Sequence, residues 1–358
     1  MSEKPNFERL LKVLWLEEPD RVPFYEHFVD LEVIEHILSR SLRDLDLSKE
    51  GHQRIYVESL VKFYKGLKYD YVPFDLPLLL QRTNIAYSKD LAILSRGKRM
   101  CVDESRGTIE TMEDFKAYPW PDPEEAIDVD LMKLLTRSLP DGMMIIGGVG
   151  GGVLEHVMWI MGFEPFFRAI YREPKLIDAM FNKIGSLIYE CLKIIADVEG
   201  IGALRLGDDM GYRKGTFISP AMLRRYVLPW HMRCADLAHK RGMPFILHSC
   251  GNLEAIMDDI LKYVDAKHSF EDAIMSVTKF KRLYGDKIAI LGGVDVDKMA
   301  RLGADDFSKY VKHILDECAP GGGYALGSGN SVTNYIKVEN YLLMLRIGLK
   351  YGRYAKRA

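Results

Sequence analysis

The stretch Pro244-Phe245-Ile246-Leu247-His248-Ser249-Cys250-Gly251-Asn252 has the pattern of a short buried strand that ends in polar residues. It follows an amphipathic helical pattern over residues 220–241. Side chains two residues apart in a strand point to the same face, so His248 and Cys250 are directed to one point. A helix that leads into a buried strand is one unit of a βα repeat, and such repeats predict a parallel sheet.

The rest of the chain repeats this alternation of short apolar runs and long helical patterns. The predicted strands are Val22–Phe28, Tyr71–Leu76, Met143–Val149, Ala203–Asp209, Pro244–Cys250, Ala266–Glu271, Ile288–Asp295 and Tyr324–Asn330. The predicted helices between them are Leu31–Ile37, His52–Lys65, Glu164–Glu199, Pro220–Arg241, Leu253–Tyr263, Ser276–Leu283 and Ala304–Glu317. Eight such units predict a (β/α)8 TIM barrel. A doubly wound open sheet is the alternative, but no Gly-x-Gly-x-x-Gly motif opens the first helix.

Two parts of the chain depart from the alternation. The first twenty or so residues predict a helical cap, and residues 87–112 predict a β-hairpin with strands at 91–95 and 99–103 and a further extended run at 108–111. Prolines stiffen the connection at residues 118–123. We therefore predict one barrel domain over residues 1–358, with an insert at about 87–123 that lies over one mouth.

Composition limits the function classes. The 358 residues carry a net charge of −2 and no basic excess, which argues against nucleic-acid and anionic-membrane partners. The N-terminus lacks an apolar signal core, and no apolar run reaches membrane-spanning length. Five widely spaced cysteines do not indicate a disulfide framework. We expect a cytoplasmic protein, with a homodimer left open.

The His248 and Cys250 pair predicts a metal site. Imidazole and thiolate are ligands that zinc selects, and Glu271 ends the next predicted strand. Three ligands at neighbouring strand ends would leave a fourth position open, as catalytic zinc requires. The alternative is a buried structural cysteine beside a core histidine.

Polar residues stand at the ends of the other predicted strands as well. In a barrel, the carboxyl ends of the strands build the site. The candidates at these ends are Glu26, His27, Asp75, Asp208, Asp209, Ser328 and Asn330. Helix caps and turn residues are the alternative explanation for each of them.

Further substrate-binding candidates follow two of the strands. Trp159 and Met161 come after the glycine run 147–152, and Tyr212 and Arg213 come after the aspartate pair. The glycine run lacks the Lys-Ser/Thr of a P-loop, so it predicts close backbone approach to a bulky ligand instead of a phosphate site. Helix core is the alternative for Trp159 and Met161.

Several motifs together resemble the uroporphyrinogen decarboxylase superfamily, and most of all its corrinoid-linked methyltransferase branch. They are Gly207-Asp208-Asp209-Met210-Gly211, Ile218-Ser219-Pro220-Ala221-Met222, Leu247-His248-Ser249-Cys250-Gly251-Asn252 and Pro320-Gly321-Gly322-Gly323-Tyr324-Ala325-Leu326-Gly327-Ser328-Gly329-Asn330-Ser331. The resemblance covers roughly residues 140–355 and implies a (β/α)8 barrel.

Within this superfamily, the sequence argues against decarboxylation of a porphyrinogen. The decarboxylases grip substrate carboxylates with an N-terminal Arg-Gln-Ala-Gly-Arg segment, whereas residues 22–28 here contain Glu26 and no arginine. Asp75 stands in the place of that family's catalytic aspartate. A decarboxylase of a smaller acid would need Arg205, Arg213 or Lys214 at the pocket.

The superfamily's zinc methyltransferases imply ligands at His248, Cys250 and Glu271, but their final cysteine is replaced here at about Asn330. With one thiolate fewer, a zinc ion is a stronger Lewis acid, which suits a methyl ether or amine better than a thiol. We predict a zinc enzyme that moves a methyl group from a small methoxylated or methylated molecule to a corrinoid protein. Asp208 or Asp209 would donate a proton, and the partner's cobalt would attack the methyl carbon. A methylcorrinoid:thiol or folate methyltransferase and a non-catalytic corrinoid- or metabolite-binding relative remain alternatives.

Overall fold

The computed structural model describes residues 4–354. The strands are Tyr71–Pro77 (β1), Ile85–Lys89 (β2), Lys98–Val102 (β3), Met144–Gly150 (β4), Ile201–Gly207 (β5), Gly211–Tyr212 (β6), Gly215–Thr216 (β7), Phe245–His248 (β8), Ala266–His268 (β9), Ala289–Leu291 (β10) and Tyr324–Ala325 (β11).

The helices fill the intervals between the strands of the main sheet. They are Glu8–Leu14 (α1), Leu31–Leu38 (α2), Glu50–Gly66 (α3), Met112–Ala117 (α4), Pro123–Ala126 (α5), Asp130–Ser138 (α6), Val153–Met161 (α7), Phe163–Arg172 (α8), Pro174–Ala196 (α9), Pro220–Tyr226 (α10), Leu228–Lys240 (α11), Met257–Ile260 (α12), Val277–Tyr284 (α13), Val296–Arg301 (α14), Ala304–Cys318 (α15) and Val338–Tyr351 (α16), with a 3₁₀ turn at Glu254–Ile256. No helix within residues 4–354 combines the length and apolar character needed to cross a membrane.

Seven strands form one curled parallel sheet in the order β1-β4-β5-β8-β9-β10-β11. Strand β5 is buried along its whole length, as expected for a parallel strand that is covered on both faces. All seven strands point the same way, so their carboxyl ends lie at one edge of the sheet. That edge carries the candidate residues.

The predicted strand at residues 22–28 is not a regular strand. Phe24 makes a single parallel bridge to Leu326, supported by hydrogen bonds from Tyr25 N to Leu326 O and from Leu326 N to Pro23 O, each 2.9 Å. Pro23 has no N–H to donate, which limits the hydrogen bonds this segment can make as a strand. The segment therefore lies beside β11 without extending the ladder.

The insert is a hairpin, but its first strand differs from the predicted one. Strands β2 and β3 pair antiparallel in a sheet of their own, with Tyr87 opposite Met100. Residues 91–95, predicted as strand, belong to the connection, where Asp90 N donates to Gly97 O. The run 108–111 is also not a strand, because Thr111 caps helix α4 through a capping box with Asp114.

Helix α1 lies within the first twenty residues, for which a helical cap was predicted. Just before it, Phe7 donates its N–H to Gly142 O and packs on Gly202, where a Cβ would come within 2.3 Å of the Phe7 ring. These contacts place the helix start at the amino-terminal end of β5, opposite the edge that carries the candidate residues.

The longest helix shows how the outer layer is held. Helix α9 buries Met180, Ile184, Ile188, Leu192 and Ile195 at three- and four-residue spacing, and it contacts both β4 and β5. Burial of each such side chain is worth about 1.5–3 kcal/mol. The sheet is thereby fixed from outside, which keeps the strand ends in place.

Candidate functional site

Strand register brings the candidate metal ligands together. His248 is the register partner of Gly207 on one side and of His268 on the other. Strands β5 and β8 end at the same level of the sheet. Asp209 and Cys250, which come two residues after these ends, therefore lie beside the His248 ring.

Asp209, His248 and Cys250 offer three ligand atoms that lie within 4.8 Å of one another. His248 Nε2 is 3.6 Å from Cys250 Sγ and 3.7 Å from Asp209 Oδ1. Asn330 Nδ2 donates to Cys250 Sγ at 3.2 Å, and the Cys250 N–H donates to Asp209 Oδ1 at 2.8 Å. The group therefore combines one imidazole, one thiol and one carboxylate.

This donor set fits zinc. Zinc–ligand bonds of about 2.0–2.3 Å at tetrahedral angles place neighbouring ligand atoms about 3.3–3.6 Å apart. The His248–Cys250 and His248–Asp209 separations are close to that spacing. Zinc is accordingly a metal these three residues could hold with small side-chain adjustments.

A second trio, His27, His248 and His268, also has its ring nitrogens within 4.8 Å. The rings of His27 and His248 stack with centroids 3.9 Å apart and planes 13° from parallel. An imidazole binds a metal in its own ring plane, and two nearly parallel planes share no common metal position. His248 Nδ1 already lies 2.7 Å from His268 Nδ1. The geometry therefore favours the carboxylate–imidazole–thiol group.

Cys250 and Asp209 are buried, and burial disfavours their negatively charged forms. Desolvation, followed by repulsion from Asp209, raises the pKa of the Cys250 thiol, and desolvation raises that of Asp209. Lys267 provides a nearby amine, but burial lowers its pKa to about 8. Both acidic groups would be stabilised in their charged forms by a bound cation.

A cavity of about 510 Å³ opens beside this group. Its wall is partly aromatic and partly acidic. The lining residues are His27, Phe28, Val29, Leu31, Ile34, Tyr56, Leu60, Tyr64, Pro73, Phe74, Asp75, Gly150, Gly151, Glu155, Trp159, Arg205, Gly207, Asp209, His248, Cys250 and Asn330. The size suits a small organic molecule.

One buried ion pair crosses the cavity wall. Arg205 Nη2 lies 2.8 Å from Asp75 Oδ2, and Arg205 Nη1 donates to His27 O at 2.7 Å. Asp75 Oδ1 and Arg205 Nε are buried with no hydrogen-bond partner in the described structure.

The two adjacent aspartates have different surroundings. Asp208 is fully buried, and its oxygens accept the N–H groups of Val153, Leu154 and Glu155 at 3.0–3.1 Å. His231 Nε2 contacts the same carboxylate at 2.7 Å. The Asp208 carboxylate therefore caps helix α7, and its oxygens are occupied by these hydrogen bonds.

Glu271 lies outside the group that contains His248 and Cys250. It lines a separate, smaller cavity with Lys267, Ser269 and Phe270. Asp209 is the carboxylate that lies beside His248 and Cys250, and its Oδ1 accepts the Cys250 N–H. Ser269 still contacts Cys250 Sγ at 3.6 Å, but Glu271, two residues later, is not among the three residues whose ligand atoms converge.

The other substrate-binding predictions divide into two sets. His27 and Trp159 line the cavity. Glu26, Met161 and Ser328 are fully buried outside its wall, and Tyr212 and Arg213 stand exposed on the small β6–β7 hairpin. Glu26 accepts hydrogen bonds from the backbone N–H and the hydroxyl of Ser328, so those two residues bind each other.

Two polar neighbours of the cavity or of the His248 group were missed from the sequence, and a third, Arg205, was named only for the decarboxylase alternative. Glu155 lines the cavity, and burial together with Asp209 raises its pKa well above the usual range. His268 contacts His248, and Arg205 pairs with Asp75. The register of β5, β8 and β9 was the available signal for Arg205 and His268. Glu155 had no sequence signature, because the N-cap residue, Gly152, has no side chain to form a capping box; Glu155 only accepts the Gly152 N–H at 3.3 Å.

Comparisons with known proteins agree with this architecture. The family model described as "Uroporphyrinogen decarboxylase (URO-D)" matches residues 104–349. The uroporphyrinogen decarboxylase of Syntrophotalea carbinolica is 26% identical over 241 residues, which cover 65% of this chain and 67% of that protein. That of Citrifermentans bemidjiense is 25% identical over 245 residues, covering 66% and 69%. The solved structure of a methyltransferase from Methanosarcina mazei has a TM-score of 0.71 at 16% identity and covers 98% of this chain and 99% of that one, which is a likeness of fold.

Proposed function

This chain belongs to the uroporphyrinogen decarboxylase family, and on that premise we propose that it is a zinc-dependent methyltransferase. It would move a methyl group from a small methoxylated or methylated molecule to a corrinoid carried by a partner protein. The observation that carries the proposal is the convergence of Asp209, His248 and Cys250 at the wall of the 510 Å³ cavity. The fold shared with the methyltransferase from Methanosarcina mazei is compatible with it.

The charge of the cavity favours methyl transfer over decarboxylation of a porphyrinogen. Apart from Glu155, which is the proposed proton donor, the carboxylates among the described lining residues are Asp75 and Asp209, and the single arginine, Arg205, is already paired with Asp75. A substrate with many carboxylates would be repelled by this wall. The decarboxylases among its relatives make that activity the second candidate.

We assign the metal to the side chains of Asp209, His248 and Cys250. When bound, zinc would supply Lewis acidity at the substrate's heteroatom. Asn330 holds the Cys250 sulfur from the cavity side and orients the substrate oxygen with its amide. Asn330 thus occupies the region in which related zinc methyltransferases place a further thiol.

We propose that Glu155 donates a proton to the leaving group. Its carboxyl lines the cavity, and burial together with repulsion from Asp209 raises its pKa well above the usual range, which favours the protonated form. A protonated carboxyl can donate to a leaving alkoxide, which the buried and fully bonded Asp208 cannot reach. Trp159, one helical turn after Glu155, lines the same cavity.

We also propose that residues 22–28 complete the sheet, so that the chain is one (β/α)8 domain with an insert at about 87–123. The parallel bridge between Phe24 and Leu326 supports this closure on one side. On the other side, the Tyr71 hydroxyl and the Glu26 backbone exchange two hydrogen bonds of 2.7 and 2.8 Å.

The proposal is tested by metal analysis and by a methyl-transfer assay. Purified protein should contain zinc near one ion per chain, and it should convert a reduced corrinoid protein to its methylated form with one of a panel of methoxylated aromatics and methylamines, followed by absorbance. Cys250→Ala should lose zinc and activity together, while Cys101→Ala, which changes an exposed thiol, should keep both.

Other outcomes identify the alternatives. Retained zinc with lost activity in Cys250→Ala would point to a nucleophilic role for Cys250. Turnover of uroporphyrinogen with no methyl transfer from the panel would overturn the proposal in favour of decarboxylation.

A further inference from the structure

His248 has two ring nitrogens, and only one of them faces the proposed metal. Nε2 lies toward Cys250 and Asp209, whereas Nδ1 is 2.7 Å from His268 Nδ1. A neutral imidazole carries one proton, and a nitrogen that carries it cannot bind a metal. The position of that proton therefore decides whether His248 can act as a ligand.

The hydrogen-bond partners of His268 determine which nitrogen of His248 carries the proton. His268 Nε2 lies 3.1 Å from the carbonyl oxygen of Ser328, which can only accept a hydrogen bond, so His268 Nε2 must carry a proton. His268 is completely buried, with no carboxylate hydrogen-bonded to its ring in the described structure.

A neutral His268 protonated at Nε2 has a bare Nδ1. Two nitrogens 2.7 Å apart must share one proton, so His248 must donate from its own Nδ1. His248 Nε2 is then unprotonated and directed at the metal group. The chain of hydrogen bonds runs from His248 Nδ1–H to His268 Nδ1, and from His268 Nε2–H to the Ser328 carbonyl.

We propose that His268 is a positioning residue that fixes the tautomer of His248, keeping Nε2 free to bind the metal. This inference deepens the proposed function, since it concerns the same metal group. The polypeptide backbone enforces the arrangement, because His248 and His268 are register partners and the final acceptor is a main-chain carbonyl. Such partners of metal-binding histidines typically change metal affinity by about 10–100-fold when removed.

The tautomer itself can be measured in metal-free protein. Long-range ¹H–¹⁵N correlation spectra of ¹⁵N-histidine-labelled protein, assigned with His248→Gln, should show His248 protonated at Nδ1 and His268 protonated at Nε2. A proton on His248 Nε2 in the metal-free wild type would overturn the inference. This measurement requires neither bound zinc nor enzyme activity, so its outcome is independent of the test of the proposed function.

Two variants at position 268 complete the test. His268→Gln keeps an acceptor toward His248 and a donor toward Ser328, whereas His268→Leu keeps neither. We expect His268→Gln to hold the wild-type tautomer with a zinc dissociation constant within about threefold of wild type. His268→Leu should weaken zinc binding by about 10–100-fold.

If His268→Leu proves unstable, the contrast between His268→Gln and wild type, read with the NMR tautomer, still decides the question. A tautomer change in His268→Gln, or unchanged zinc affinity in folded His268→Leu, would contradict the proposal.

Discussion

Asp75 and Arg205 form an ion pair of 2.8 Å that reaches across Gly148, the residue that separates them in the sheet. Gly148 is the register partner of both, through β1 on one side and β5 on the other. A Cβ at Gly148 would lie 2.3 Å from Arg205 O and 2.7 Å from Asp75 Oδ1. The missing side chain is therefore what lets the pair close.

Gly148→Ala should destabilise the protein by about 1–3 kcal/mol, since backbone and ion pair must both shift to admit the methyl group. Gly150→Ala is the matched control in the same strand, because its Cβ would meet nothing closer than 3.7 Å. Urea unfolding monitored by circular dichroism compares the two. Equal stability of both variants would contradict the close packing inferred at Gly148.

Asp209, and not Glu271, should control zinc affinity. Asp209→Asn removes the carboxylate that lies 3.7 Å from His248 Nε2, and we expect zinc binding to weaken at least about tenfold, as loss of a charged ligand entails. Glu271→Gln should stay within about threefold of wild type. Competition with a chromophoric chelator measures both constants. The reverse ranking would restore Glu271 as the ligand.

Asn330→Cys should bind zinc more tightly than wild type and lose activity toward a methoxylated substrate. The Asn330 amide lies 3.2 Å from Cys250 Sγ, so a thiol there would be near enough to compete for the metal after a small shift. A second thiolate would reduce the Lewis acidity of the metal. Unchanged zinc affinity and kinetics would show that Asn330 acts only as a turn residue.

Glu26 should make stability fall as the pH rises. Burial raises the pKa of Glu26 to about 8, from an ordinary value of 4.5, although hydrogen bonds from Ser328 oppose the shift. Between these values the native state holds a proton that the unfolded state has released. The free energy of unfolding therefore decreases with pH, by up to about 1.4 kcal/mol per unit.

Glu26→Gln removes this titration and should flatten the profile between about pH 4.5 and 8, the window set by the two pKa values. Urea unfolding of wild type and variant at several pH values across that window gives the comparison. Parallel profiles would show that Glu26 is ionised in the native state despite its burial.

The alternation of apolar runs and helical patterns was sufficient to predict a parallel α/β sheet, and seven of the predicted strands are present in it. The motifs at residues 207–211 and 247–252 predicted the family, which is confirmed by the match to residues 104–349. Both depend on local patterns, since strand periodicity and short motifs are contained in a few neighbouring residues. The segment at 22–28 had the same apolar pattern and forms only a bridge, because ladder formation also depends on a partner strand.

The tertiary structure alone decided which polar residues meet. The contact of His248 with Cys250 follows from their separation of two residues, with His248 at the end of β8 and Cys250 just beyond it. The choice of Asp209 over Glu271, the capping role of Asp208 and the contact of His268 with His248 depend on the register between strands and on how each chain segment leaves the sheet. A one-residue change of register would redirect every side chain of a strand to the other face. Sequence spacing therefore predicted which residue types reach the carboxyl edge, and only packing determined their partners there.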